Sequence, residues 1–110
     1  MGRRLVNRGD VYLCDFGSPT GHEPGFRRPA VIVSPEQLNR HGTPVVLPVT
    51  RSRRGYPTHV ELDGPLPITS YVQCELIRAV SADRLLRQVA SVDAVHLAQI
   101  DLILRRILGL

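Results

Sequence analysis

Short apolar runs bounded by glycine, proline or polar residues recur along most of this chain. The runs are rich in valine, isoleucine and tyrosine, which is typical of β-strands and not of helices. They predict strands at residues 10–15, 30–33, 45–50, 58–62, 71–74 and 77–80, with a last small strand at 88–91. Short strands separated by turns predict a mainly β fold, a small and strongly bent barrel.

Apolar residues at helical spacing are confined to the C-terminal segment, which predicts a helix there. Ser91 can cap its start, Asp93 suits its positive first turn, and Gly109 follows its end. The apolar residues that share one face of this helix are Leu97, Ile100, Ile103, Leu104, Ile107 and Leu108. We expect that face to pack against the barrel, whereas Val95 and Leu102 point elsewhere and could meet a partner.

The segments 28–34 and 44–50 are predicted to pair as an antiparallel hairpin around a polar connector. The symmetric register places Arg28 opposite Thr50, so a permanent cation and a hydroxyl would share one end of the sheet. Cross-strand neighbours lie about 5 Å apart, close enough for both to touch one phosphate. The alternative is an ordinary basic surface residue beside a threonine that favours β-structure. Pro48 lacks an N–H donor, which predicts an edge position or a bulge for the second strand.

Charge points to an anionic partner. All fourteen basic residues are arginine, and the formal net charge is +4. The planar guanidinium binds phosphate in a bidentate manner, although a solvated basic surface remains the plain alternative. Arg51, Arg53 and Arg54 follow Thr50 directly and extend a positive patch toward a longer phosphate chain.

Two further residues near these arginines carry candidate acid–base chemistry. Glu23 lies in a glycine-rich loop just before Arg27 and Arg28, where it can orient a guanidinium, accept a proton or form a weak surface ion pair. His59 can act as an acid, as a base or as a hydrogen-bonding surface group. The functional and the surface role both stay open for Glu23, whereas a lone histidine such as His59 favours the hydrogen-bonding surface role.

Length and cysteine usage set the broad class. A chain of 110 residues is expected to form one domain, 1–110. Cys14 and Cys74 fit neither a disulfide framework nor a metal-ligand spacing, so we expect buried free thiols in a reducing cytoplasm. The sequence predicts no metal site, no cofactor, no signal peptide and no membrane span.

Several strings of residues, taken together and in order, resemble the MazF/PemK toxin family. They are RGDVY at 8–12, GHEPG at 21–25, RPAVIVS at 28–34, PVT at 48–50, YPTHVEL at 56–62 and IR at 77–78. Their order and spacing match the family from Arg8 to the final helix.

The resemblance implies a dimeric SH3-like barrel in the cytoplasm that cleaves single-stranded RNA at a short sequence. Cleavage would need no metal and would leave a 2′,3′-cyclic phosphate and a 5′-hydroxyl. It also implies an antitoxin whose acidic segment covers the RNA groove. By motif, the catalytic arginine falls on Arg28 and the catalytic threonine on Thr50, and Glu23 matches an acidic position near that arginine. The family often has glutamine where this chain has Leu76, so the cut sequence could differ.

The resulting hypothesis is attack by the RNA 2′-hydroxyl on its own phosphate, with Arg28 stabilising the transition state and Thr50 orienting the phosphate. The proton acceptor stays open between Glu23, His59, water and Arg28 itself. The residues expected to bind RNA are Arg27, Arg51, Arg53 and Arg54, with base stacking on Phe16 or Phe26. Two rivals are a protein-binding toxin of the gyrase-inhibiting type on the same fold and a barrel that binds nucleic acid without cleaving it.

Overall fold

The computed structural model describes residues 5–23 and 25–110 and arranges them in seven strands and two α-helices. The strands are β1 (Asp10–Asp15), β2 (Arg27–Ile32), β3 (Val45–Thr50), β4 (His59–Leu62), β5 (Ser70–Gln73), β6 (Arg78–Ala79) and β7 (Leu85–Ser91). The helices are α1 (Glu36–Arg40) and α2 (Ala94–Leu108), and short 3-10 turns form at Cys74–Leu76 and Ala82–Arg84.

The strands form one antiparallel sheet with the order β4-β5-β3-β2-β1-β7, and β6 also pairs with β3. This path does not close on itself, because β4 and β7 lie at its two ends. The predicted mainly β, barrel-like fold with a C-terminal helix is therefore confirmed, with the sheet open and not closed.

The central hairpin has the register that the sequence predicts. Ala30 pairs with Pro48, Val31 with Leu47 and Ile32 with Val46. The connector between the two strands contains α1, which lies at the end of the hairpin opposite Arg28. Symmetric pairing around a short connector is the simplest way to bury both apolar runs, which is why the register could be predicted.

The prediction of an edge position or a bulge at Pro48 is wrong. Strand β3 lies inside the sheet, and its register with β2 shows no shift between Val46 and Pro48. One side of β3 pairs with β2, while the other side pairs with β6 at Val45 and Val46 and with β5 at Val49 and Thr50. Pro48 lies between those two partners, where the ladder changes strand. Proline fits at the point where β3 passes from β6 to β5, because no β-sheet hydrogen bond from an N–H of that residue is lost there.

Helix α2 begins at a different cap from the predicted one. The Asp93 carboxylate accepts a hydrogen bond of 2.8 Å from the backbone N–H of His96, whereas Ser91 is the last residue of β7. Gly109 ends the helix in the left-handed conformation, with φ of 71°, as its position predicts. Neither helix within 5–23 and 25–110 is long and apolar enough to cross a membrane.

One face of α2 covers the core, as predicted. Ile100 is fully buried, and the other helix residues that pack against the same core are Leu97, Ile103, Leu104 and Ile107. Leu108, expected on that face, is exposed, as are Val95 and Leu102. The helix therefore packs on β4 and the Cys74–Leu76 turn and shares one core with Val11 of β1 and Leu47 of β3.

We predict that Ile100→Ala lowers the free energy of unfolding by about 2–5 kcal/mol, because it removes a fully buried side chain and leaves a cavity. Ile68→Ala is the matched control. Ile68 is 50% exposed, so its loss should change stability by about 0.5 kcal/mol or less. Urea unfolding of both variants measures the difference, and equal losses would contradict the assignment of Ile100 to the core.

Candidate active site

One face of the sheet carries polar residues from three neighbouring strands. Directly paired residues of antiparallel strands project to the same face, and alternate residues of one strand share a face. Thr50 pairs with Tyr71, Glu61 also pairs with Tyr71, and His59 pairs with Gln73. These five side chains therefore share one face, while the buried residues of the opposite face are Val49, Val60, Leu62 and Val72.

Arg28 reaches this polar face from β2. Its Nη1 donates a hydrogen bond of 3.1 Å to the amide oxygen of Gln73 on β5, across the intervening strand β3. Among the described residues, no carboxylate oxygen lies within 4.0 Å of the Arg28 guanidinium. The half-buried charge of Arg28 is thus held by a neutral partner and is not compensated by an ion pair.

Thr50 ends β3 beside a small cavity. Its hydroxyl oxygen accepts a hydrogen bond of 3.2 Å from the backbone N–H of Ser52. The cavity has a volume of about 110 Å³, and its lining includes Pro29, Thr50, Arg51 and Ser70. Arg28 does not line this cavity. The lining residues Pro29 and Val49 alternate with Arg28 and Thr50 along β2 and β3, so they belong to the opposite face of the sheet.

His59 is fixed by a small hydrogen-bonded cluster. Its Nε2 lies 3.0 Å from one oxygen of Glu75, and the hydroxyl of Thr58 donates a hydrogen bond of 2.9 Å to the other. The edge of the Tyr56 ring meets the imidazole, with 5.0 Å between ring centroids. The His59 side chain is only 4% exposed, and its buried Nδ1 has no partner in the described part of the chain.

The cluster also stabilises the ionised form of Glu75. Partial burial raises the pKa of its carboxyl, but hydrogen bonds from its own backbone N–H, from His59 and from Thr58 outweigh that effect and leave the pKa below its usual value. The carboxylate therefore stays ionised and holds the His59 ring in place.

Glu23 is exposed and engaged within its own loop. Its carboxylate accepts a hydrogen bond of 3.1 Å from the backbone N–H of Thr20, and its own N–H donates to the Thr20 carbonyl. It forms no ion pair with Arg28 within the described ranges. The neighbouring Pro24, part of the GHEPG string, lies outside the described residues.

The remaining predicted RNA-binding arginines lie on the surface. The Nε of Arg27 is 3.9 Å from a carboxylate oxygen of Asp15, which makes a long and exposed ion pair. Arg51, Arg53 and Arg54 are exposed in the segment that follows Thr50. Their guanidinium groups are therefore open to solvent beside the cavity that Arg51 and Thr50 line.

The prediction of Phe16 as a base-stacking residue is wrong. Phe16 is only 4% exposed and packs in a second apolar cluster with Cys14, while the guanidinium carbon of Arg78 lies 5.6 Å from the ring centre. A buried ring cannot stack on a base. Phe26, the alternative, is 69% exposed and has a positive φ of 59°.

Both cysteines are buried free thiols, as predicted. Burial raises the pKa of Cys14 to about 11 and that of Cys74 to about 12, so both are protonated at neutral pH. Within residues 5–23 and 25–110, no three histidine, cysteine or acidic side chains are placed so that they could hold a metal ion.

Sequence reasoning missed two residues of this site, Gln73 and Glu75. Both become visible once the strands 58–62 and 71–74 are paired, because that register sets Gln73 opposite His59 and leaves Glu75 just beyond it. Assigning the register of the β4–β5 hairpin from the sequence would therefore have revealed both residues.

Comparison with known proteins agrees with this architecture. A curated relative, Endoribonuclease MazF9 of Mycobacterium tuberculosis, is 34% identical over 107 residues, which cover 88% of this chain and 91% of the relative. The crystal structure of MazF from Deinococcus radiodurans superposes with a TM-score of 0.88 at 30% identity and covers 98% of this chain and all of that one. An endoribonuclease in complex with its cognate antitoxin, from a mycobacterial species, gives a TM-score of 0.81 at 32% identity and covers 96% of each chain.

The family comparison extends over nearly the whole sequence. The protein-family model described as "PemK-like, MazF-like toxin of type II toxin-antitoxin system" matches residues 7–108 of this sequence. This protein therefore belongs to the family of PemK-like and MazF-like toxins of type II toxin–antitoxin systems.

Proposed function

We propose that this toxin is an endoribonuclease that cleaves single-stranded RNA through attack by the substrate's own 2′-hydroxyl. The observation that carries the proposal is the uncompensated charge of Arg28, held by Gln73 on the sheet face that also presents Thr50. The activity in the name of the mycobacterial relative supports it. In this reaction the 2′-oxygen forms a bond to phosphorus while the bond to the 5′-oxygen breaks, which leaves a 2′,3′-cyclic phosphate and a 5′-hydroxyl.

Arg28 is proposed to bind the phosphate oxygens on which negative charge accumulates in the transition state. One N–H of the Arg28 guanidinium donates to Gln73, and the other N–H groups remain available for two oxygens of one phosphate. A preorganised donor of this kind is typically worth about 3 kcal/mol, or on the order of a hundredfold in rate. No metal ion or other cofactor has a role in the proposal.

Thr50 is proposed to orient the same phosphate. Its hydroxyl oxygen already accepts from Ser52, so the hydroxyl proton is free to donate to a phosphate oxygen. The position of Thr50 at the end of β3, on the sheet face that the Arg28 guanidinium reaches, supports this role. A hydroxyl at a strand end is held by the sheet, which suits orientation better than a loop position would.

His59 is proposed to orient neighbouring groups and not to transfer the proton. Its Nε2 is bound to Glu75 and its Nδ1 is buried, so neither ring nitrogen is open to substrate. Glu23 is exposed, and its carboxylate has acceptor capacity beyond the bond from Thr20. The group that takes the 2′-hydroxyl proton is then Glu23 or a water molecule.

Binding along the RNA is proposed to rest on the exposed arginines and one aromatic ring. Arg27, Arg51, Arg53 and Arg54 contact phosphates, and Phe26 offers a ring on which a base can stack. Phosphate contacts set affinity and its dependence on salt, whereas base contacts set the cut sequence.

The toxin is proposed to work as one domain, 1–110, in the cytoplasm. A family match that extends from residue 7 to residue 108 supports a single toxin domain. Cys14 and Cys74 are free thiols, which suits a reducing compartment. Its proposed inhibitor is an antitoxin with an acidic segment that binds the arginines of the RNA surface. The solved complex of a mycobacterial endoribonuclease with its cognate antitoxin supports such a partner.

A homodimer is the proposed assembly. The apolar residues that α2 and the C-terminus leave exposed are Val95, Leu102, Leu108 and Leu110, and a second copy would remove part of this surface from water.

We predict that the purified protein cleaves long single-stranded RNA in EDTA into discrete fragments with 5′-hydroxyl ends. Arg28→Ala should cut at least about a hundredfold more slowly, because it removes the transition-state donor, and should remain folded. Arg87→Ala, a change at an exposed arginine of β7, should cut like the wild type. Mapping of the 5′ ends measures both the chemistry and the sequence that is read.

Three outcomes of this assay would overturn the assignment. Intact RNA at high concentrations of folded protein would favour a protein-binding toxin or a barrel that only binds nucleic acid. Fragments with 5′-phosphates would mean a different nucleophile. An Arg28→Ala variant as active as the wild type would remove Arg28 from the site.

Combined replacement of Arg51, Arg53 and Arg54 by glutamine is predicted to weaken RNA binding and its salt dependence. Each lost phosphate contact on a single strand reduces the log–log salt slope by about 0.7, so the three together should reduce it by about 2. The same variant should bind an acidic peptide of the antitoxin type less tightly, since both ligands need the same charges. Fluorescence titration at several salt concentrations, with Arg87→Gln as control, measures both. An unchanged slope would exclude this loop from the interface.

Sedimentation equilibrium of the protein alone is predicted to give twice the mass of one chain at micromolar concentration. The exposed apolar side chains of α2 are the physical reason. Leu102→Glu places a charge within that surface and should shift the equilibrium toward the monomer, whereas Gln37→Glu, at an exposed position of α1, is the control. A monomeric wild-type protein would refute the proposed assembly.

A further inference from the structure

The amide of Gln73 is the one side-chain partner that the described residues offer to the Arg28 guanidinium. The two groups meet at 3.1 Å across β3, and Gln73 is only 8% exposed. An arginine has donors and no acceptor, so the amide oxygen and not its nitrogen must face the guanidinium. The contact is therefore chemically unambiguous in its direction.

The backbone on both sides of Gln73 is fixed by the sheet. Gln73 itself pairs with His59 on β4, and the N–H of the next residue, Cys74, donates a hydrogen bond of 3.2 Å to the Thr58 carbonyl. The His59 ring is held in turn by Glu75. A buried side chain on such a backbone has little freedom, so it can transmit its position to Arg28.

The neutrality of this partner distinguishes Arg28 from the arginines that form ion pairs. Arg8 pairs with Asp101, Arg40 with Glu36, and Arg27 lies near Asp15. An ion pair of that kind at Arg28 would offset part of its charge and compete with any phosphate. A neutral amide fixes the guanidinium and leaves its whole charge available for an anion.

We infer that Gln73 is a positioning residue that holds the Arg28 guanidinium ready for the scissile phosphate without neutralising it. The inference rests on the proposed ribonuclease function and adds a residue to its machinery. Gln73 does not touch the reacting atoms. It restricts the orientations of Arg28 to the one in which the free side of the fork faces the substrate.

Gln73→Met tests this role because methionine keeps the length of the side chain and removes the acceptor. We expect kcat to fall by about 10- to 100-fold, the loss that a misplacement near 1 Å brings about. Affinity for RNA with a 2′-deoxy nucleotide at the mapped cut should stay within about twofold, because the charge of Arg28 and the Arg51–Arg54 loop remain.

Gln73→Glu is expected to lower RNA affinity, in contrast to Gln73→Met, which should lower kcat. It keeps an acceptor, so Arg28 stays in place, but the new carboxylate pairs with the guanidinium and repels phosphate. Affinity for the same uncleavable RNA should fall by about tenfold. Gln37→Met, at an exposed position of α1 on the far end of the hairpin, should match the wild type in both measurements.

The outcomes separate this inference from the proposed function. If Arg28→Ala is inactive while folded Gln73→Met keeps kcat within twofold of the wild type, Gln73 has no positioning role but the ribonuclease assignment stands. A parallel loss of thermal stability, RNA binding and kcat in Gln73→Met would mean a purely structural residue. If the wild type cleaves no RNA, the function fails and this inference fails with it.

Discussion

The change of partner along β3 is the constraint on which the rest of the molecule depends. On one side β3 stays paired with β2, while on the other it passes from β6 to β5 at Pro48. That change joins the β2–β3 hairpin to the β4–β5 hairpin in one sheet. Without it Arg28 and Gln73 would belong to separate units and could not meet. A proline at the change leaves no N–H without a partner in the interior of the sheet.

The two faces of the sheet around Thr50 have different roles. Around Thr50 one face is apolar and meets the core beneath α2, where Val49 and Val72 are buried. The other face is free to carry groups that cost folding free energy, such as the half-buried cation of Arg28. Burial of the first face offsets that cost. Arg28, Thr50 and Gln73 are therefore positioned by the sheet, whereas Glu23 and residues 51–54 lie in loops.

The sequence was sufficient where the signal was local. Apolar runs between turn residues predicted the strands, and symmetry about the connector predicted the register that leads from Arg28 to Thr50. It was insufficient where a third element decides the outcome. Pro48 indicates an edge strand only while the second neighbour of β3 is unknown. Phe16 is buried in a cluster that residues distant in the sequence, such as Val46 and Leu85, complete. Gln73 was missed because its role depends on a contact across an intervening strand.

Composition alone could not have separated Arg28 from the thirteen other basic residues of this chain. What sets Arg28 apart is that it is half-buried and hydrogen-bonded to a neutral side chain. Arg8 meets a carboxylate and Arg78 an aromatic ring, and such contacts account for the charge within the fold. Arg28 donates to a neutral amide, and no described contact pairs its positive charge with a negative one. A half-buried cation that the fold positions but does not neutralise is suited to bind an anion from outside the chain, and under the proposed function that anion is the phosphate of RNA.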